Sequence, residues 1–214
     1  MRVQPRPMKV AAVALPLPVP SPDAPSTDIG PRFDELGVPT PVVRALAARG
    51  IERAFPIQTA TLPDTLVGHD VLGRGRTGSG KTLAFSIPMV AVLAADSSSR
   101  RTRSPRGLIL VPTRELAAQV AETLIPLARA SRLQVAVIHG GVSAGPQITA
   151  LATADIVVAC PGRLEDLVGQ GRCSLDRVEV TVLDEADHMA DLGFLPGVKR
   201  LLDRTPKDGQ RLLF

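Results

Sequence analysis

The sequence predicts an α/β protein with a mostly parallel sheet flanked by helices on both faces, and three observations carry that prediction. Short apolar runs at 71–72, 108–111, 135–138, 156–159 and 178–183 alternate with stretches of helical spacing. Those runs are continuously apolar rather than alternating, as expected of strands buried on both faces. A glycine-rich segment, 75–82, then lies between the first run and an apolar helix, giving the order strand, loop, helix.

The elements follow in chain order. Residues 1–31 are rich in Pro with Ser and Asp and lack periodicity, so they are expected to form an extended or disordered arm. Arg2, Arg6 and Lys9 precede the apolar run 10–15 in the manner of a signal peptide, but Pro16, Pro18 and Pro20 break the run and no A-x-A site follows. No stretch approaches the ~20 apolar residues of a membrane span, so no membrane partner is expected. The folded domain is expected over 32–214. Val42, Val43, Leu46 and Ala47 are spaced for a helix over 39–49 that Gly50 ends, and a second helix is expected over 58–67, ending at Gly68. Arg100, Arg101, Arg103 and Arg106 lie among serines in 97–107, which reads as a solvated basic connector in preference to an RNA-gripping arm.

Composition narrows the function. A chain of 214 residues with 44% hydrophobic content buries one good core and has no room for a second domain of similar size. A net charge of +4 permits nucleic acid as a partner without requiring it. Aromatic content of 2%, with neither Trp nor Tyr, argues against a recognition surface of several stacked rings and directs nucleic-acid contact to the backbone. Cys160 and Cys173 are too few and too far apart for a CxxC site, which fits reduced thiols in a cytoplasmic protein. His69, His139 and His188 are scattered without metal-ligand spacing.

The segment Gly75-Arg76-Thr77-Gly78-Ser79-Gly80-Lys81-Thr82 fits G-x-x-x-x-G-K-[ST]. Glycines let backbone N–H groups close around phosphate oxygens, and the following helix N-terminus adds a favourable dipole. Lys81 suits the β- and γ-phosphates and the Thr82 hydroxyl suits magnesium, so ATP and Mg2+ are the expected cofactors. The alternative is a glycine-rich turn with a purely structural purpose. Downstream, the run 180–183 leads into Asp184-Glu185-Ala186-Asp187. Ligands collect at the carboxyl edge of such sheets, which suits Asp184 to magnesium and Glu185 to orienting and deprotonating water. Taken alone, these acids could instead cap the next helix.

At Asp184-Glu185-Ala186-Asp187 the sequence resembles the DEAD-box RNA helicase family, and further family motifs occur in order from Phe33 to Phe214. Gly50-Ile51-Glu52-Arg53-Ala54-Phe55-Pro56-Ile57-Gln58 resembles the Q motif, with Phe33 as the isolated aromatic before it. The resemblance implies a RecA-like P-loop NTPase domain in which Phe33, Ile51, Arg53 and Gln58 join the phosphate loop in holding nucleotide, Gln58 reading adenine through its amide. Pro112-Thr113-Arg114, Gly140-Gly141 and Pro161-Gly162-Arg163 resemble motif Ia, the GG element and motif Ib, which in relatives line a path for the RNA backbone. Arg114 and Arg163 offer charge-assisted contacts to phosphate, which carry no base information. The resemblance also gives Asp187 a part in interdomain coupling and implies a second RecA-like domain.

Three departures stand out. Ile51 occupies the place of an adenine-stacking aromatic, so weaker adenine binding is expected, and Cys160 replaces the Thr of motif Ib. The chain stops at Phe214, where relatives continue into a Ser-Ala-Thr motif, and the second domain that supplies an arginine finger is expected to lie beyond it. The expectation is therefore an ATP-dependent RNA helicase whose first domain, by itself, binds nucleotide and RNA backbone but unwinds nothing. Two rivals are a different P-loop helicase or translocase and a half-domain acting as a nucleotide- or RNA-binding module.

Overall fold

The computed structural model describes residues 9–11, 30–95 and 101–214. Seven strands form one parallel sheet: β1 (Lys9–Ala11), β2 (Val71–Gly73), β3 (Gly107–Leu110), β4 (Val135–Ile138), β5 (Ile156–Ala159), β6 (Val180–Leu183) and β7 (Gln210–Leu213). Their spatial order is β1-β2-β7-β6-β3-β5-β4. Every pairing is parallel, including Gly107 to Leu110 against Ile156 to Ala159 on one side and Val180 to Leu183 on the other.

Two helical layers cover the sheet. On one side lie α1 (Thr40–Ala47), α2 (Pro56–Thr65), α3 (Lys81–Ala95) and α4 (Arg114–Ala130). Their buried Leu46, Leu62, Phe85, Met89 and Leu124 pack with Ile109, Val158, Val182 and Leu212 of the strands. On the other side lie α5 (Ala144–Leu151), α6 (Pro161–Gly169), α7 (Ala186–Asp191) and α8 (Leu195–Leu202), where Leu151, Leu164, Val198 and Leu201 pack with Leu108, Leu110 and Val157. Neighbouring residues of one strand, such as Ile109 and Leu110, thus serve opposite cores, because successive side chains alternate across a sheet. This two-sided burial is why β3 and β5 read as unbroken apolar runs.

Three sequence expectations need amendment. Lys9–Ala11, within the expected arm, forms an edge strand with Lys9 opposite Val71 and Ala11 opposite Gly73. A three-residue edge strand needs only a free ladder to satisfy its backbone and leaves no periodic trace. Residues 1–8 and 12–29 of that arm, and residues 97–100 of the basic stretch, lie outside the described residues. Strand β4 alternates between half-buried and buried side chains because it lies at the edge of the sheet beyond β5, so it is not enclosed on both faces. Arg106 is not solvated: its Nε and Nη2 donate to Glu179 at 2.6 and 3.0 Å, and Nη1 donates to the Leu93 carbonyl at 3.0 Å. The like charges before it in sequence concealed a buried ion pair.

Candidate nucleotide and nucleic-acid site

All strands run the same way, so the loops that leave their carboxyl ends gather along one edge of the sheet. The loop after β2 is the glycine-rich segment, and it delivers Lys81 and Thr82 as the first two residues of α3. Arg76, Thr77 and Gly78 stand exposed at its tip, where Ser79 N donates to the Arg76 carbonyl at 3.1 Å. Gly80 has φ of 91°, a conformation that side chains rarely adopt, and a Cβ there would fall 2.4 Å from Gln58 Nε2. The loop and the Q-type segment are therefore in direct contact. Gln58, buried in α2, donates from Nε2 to the Gly80 carbonyl at 3.0 Å and accepts from Phe55 N at 2.9 Å.

From the centre of the sheet, β6 delivers the acidic pair to the same edge. Asp184 N donates to the Leu110 carbonyl at 3.1 Å and Glu185 N to the Phe214 carbonyl at 2.9 Å, extending the ladders of β3 and β7. Glu185 adopts φ 54° and ψ 50° as it opens α7, a left-handed conformation that non-glycine residues rarely hold. Lys81 Nζ donates to Glu185 Oε1 at 2.7 Å. The ammonium of the glycine-rich loop and the acids after β6 thus converge.

Asp184 is 5% exposed and its Oδ1 has no hydrogen-bond partner; Ser79 Oγ, in the neighbouring loop, is also buried without one. Burial raises the Asp184 carboxyl to about 6, with Lys81 opposing the shift and Glu185 adding to it. A buried carboxylate with a spare oxygen beside a cationic loop suits a divalent cation. No group of three or more His, Cys, Asp or Glu that could hold a metal gathers among the described residues, here or elsewhere. A cation here would therefore depend on phosphate and water for its remaining ligands, as magnesium commonly does.

The remaining expected nucleotide residues are distributed unevenly. Ile51 is half-buried against the core, and the exposed Arg53 donates from Nη1 to the Gly30 carbonyl at 3.0 Å. Phe33 is 1% exposed and belongs to the hydrophobic core. Sequence reasoning passed over Phe55, whose exposed ring adjoins the glycine-rich loop. The signal was available in a chain without Trp or Tyr that sets a Phe immediately before Pro56.

The residues expected to meet RNA do assemble. Pro112 is buried, and Thr113 caps α4 by accepting from Leu116 N at 3.2 Å. Arg114 is exposed, donates from Nε to Glu115 at 2.7 Å, and has Nη1 3.5 Å from where a Cβ on Gly141 would stand. Arg163 Nη1 and Nη2 each donate to the Val142 carbonyl at 3.1 Å. The segments 113–114, 140–142 and 161–163 therefore form one face, following the adjacent strands β3, β4 and β5. Pro161 starts α6 after Cys160, with Gly162 exposed. Asp187 is exposed in the first turn of α7, its Oδ1 accepting from His188 N at 2.9 Å.

Residues 55–214 match the DEAD/DEAH box helicase family. The chain is 43% identical over 180 residues to ATP-dependent RNA helicase dbp3 of Sclerotinia sclerotiorum, covering 84% of this chain and 30% of that protein. It is 38% identical over 184 residues to ATP-dependent RNA helicase CshA of Limosilactobacillus reuteri, covering 86% and 36% respectively. Among solved structures, a DEAD box protein from the hyperthermophile Methanococcus jannaschii superposes with a TM-score of 0.79 at 37% identity, over 86% of this chain and 49% of that one. The chain thus spans roughly a third of the length of these curated relatives.

Proposed function

The chain belongs to the DEAD/DEAH box helicase family, and from that premise we propose that it is the ATP-binding domain of an ATP-dependent RNA helicase that locally separates RNA duplexes. The observation that carries this reading is the convergence of Lys81 with Glu185 at 2.7 Å beside the unpartnered oxygen of Asp184.

In this reading the backbone N–H groups of 75–82 enclose the phosphates of ATP, and Lys81 exchanges Glu185 for the β- and γ-phosphates. Glu185, released, orients the attacking water and takes its proton. Thr82 and Asp184 would hold magnesium, which would supply neutralising charge on the phosphate oxygens. Gln58 selects adenine, and because its amide is bonded to Gly80, base recognition is tied to the shape of the phosphate loop. Arg114, Thr113, Gly140, Gly141, Gly162 and Arg163 hold the RNA backbone without regard to sequence.

Most of the catalysis of phosphoryl transfer is positioned charge, and an arginine finger is worth a factor of ~10³–10⁵. We assign that charge, and the partner surface for Asp187, to a second RecA-like domain of the full-length protein. No helix among the described residues is long and apolar enough to cross a membrane, and we propose the cytoplasm as the compartment. Calorimetry tests the reading directly: 1–214 should give a binding heat with ATP and magnesium that Lys81→Ala abolishes. Absence of heat with the unaltered chain would overturn it.

A further inference from the structure

Strand β4 lies at an edge of the sheet, so one side of its ladder has no strand to meet. Its last paired residue is Ile138, whose carbonyl accepts from Cys160 N at 2.9 Å. Neighbouring residues of an extended strand turn their N–H and C=O groups to opposite sides, so those of His139 point to the open side. The side chain of Gln147 closes it. Its Oε1 accepts from His139 N at 3.2 Å and its Nε2 donates to the His139 carbonyl at 3.0 Å, in a residue that is 7% exposed. One amide thus stands in for a neighbouring strand.

This pairing fixes where the glycine pair begins. Beyond His139 the chain turns through Gly140 and Gly141, the latter at φ of 79°, and reaches Ser143, which caps α5. Gln147 reaches back from the first turn of that helix. Two further bonds engage the carbonyls of the turn: His139 Nδ1 donates to that of Gly140 at 2.9 Å, and Arg163 donates to that of Val142. Among the described residues no acceptor meets the N–H groups of Gly140, Gly141 or Val142. With the carbonyls of His139, Gly140 and Val142 occupied from within, the turn offers donors to the outside, and donors suit phosphate oxygens.

We propose that Gln147 is a positioning residue for RNA: by holding both backbone groups of His139 it sets the N–H groups of 140–142 to meet a backbone phosphate, without touching the RNA itself. This rests on the reading of 113–114, 140–142 and 161–163 as the RNA face. Both hydrogen bonds of its amide go to His139 and neither goes to 75–82, so nucleotide binding does not depend on it.

Gln147→Leu removes both bonds at similar volume, and Gln147→Asn keeps an amide on a stem too short to reach His139. Anisotropy of a fluorescently labelled oligouridylate should show RNA bound about tenfold more weakly by each variant, while calorimetry shows ADP with magnesium bound as before. In a double-mutant cycle Gln147→Leu should add little to the RNA loss of Gly141→Ala, because both act on the same turn. Unchanged RNA affinity in either variant, equal losses for RNA and ADP, or additive losses in the cycle would each overturn the proposal. So would loss of the native circular dichroism in both variants, which would make the amide a support of the whole fold. An unaltered chain that binds ADP but not the oligouridylate would remove the RNA-face reading itself, a distinct failure.

Discussion

Lys81 and Glu185, 104 residues apart in sequence, share a 2.7 Å hydrogen bond in a site where both side chains are largely enclosed. The ion pair occupies the ammonium that the proposed function assigns to the phosphates. Glu185→Gln should therefore bind ATP at least as tightly as the unaltered chain, while ATP turnover in the full-length protein falls by about 10²–10⁴, the usual contribution of a general base. Titration of nucleotide beside a phosphate-release assay reads both effects, and full turnover in the variant would remove Glu185 from its assigned place.

Asp184 gives a prediction with a defined sign. Its carboxyl is raised to about 6, above the ordinary 3.8, mainly by burial, so the folded state holds the proton more tightly than the unfolded state between those values. Its contribution to stability is thus favourable at low pH and is lost as pH rises from about 4 to about 6. The two-unit shift sets an upper bound of about 3 kcal/mol. Melting of Asp184→Asn against the unaltered chain, without nucleotide, should show a stabilisation that grows through this window and is constant above about pH 7. Magnesium should reduce the difference.

The phosphate loop separates two glycine effects. Gly78→Ala meets open space and bears only the cost of its φ of 81°, whereas Gly80→Ala also drives a methyl into Gln58 and Phe55. Nucleotide affinity should fall by no more than about tenfold in the first and be lost in the second, with each fold checked by circular dichroism.

Arg106 and Arg101 should diverge on unfolding in urea. Removing Arg106 strands the Leu93 carbonyl and a half-buried Glu179, so Arg106→Ala should cost about 3 kcal/mol. Arg101 pairs with Asp176 at 3.8 Å across open solvent, and Arg101→Ala should stay within ~0.5 kcal/mol.

Arg163→Ala should weaken single-stranded RNA binding about tenfold, equally for unrelated sequences, because the side chain both offers charge to phosphate and fixes the 140–142 loop through Val142. Fluorescence anisotropy with two labelled RNAs checks this. A loss confined to one sequence would contradict backbone recognition.

These contrasts show what could be read from sequence. Strands β3, β5 and β6 were legible because burial on two sides demands unbroken apolar runs, and the approach of Lys81 to Glu185 because loops leaving parallel strands gather at one edge of the sheet. Lys9–Ala11 was not legible, since pairing through the backbone imposes little on side chains. Arg106 was obscured because its acid, Glu179, lies 73 residues away. Phe33 and Phe55 show the same limit from opposite sides: one ring joins the core and the other meets the phosphate loop, a difference that depends on which surfaces the fold brings near each.

The uniform direction of the seven strands divides the molecule's labour between its two ends. Residues 74–82, 111–114, 139–142, 160–163, 184–185 and 214 follow the strands' last positions, while Arg106, Glu179 and Gln210 sit where strands begin, bound to one another or to neighbouring backbone. An alteration at a strand's start should therefore show first as reduced yield or lower melting temperature, and one at its finish as a stable but idle protein.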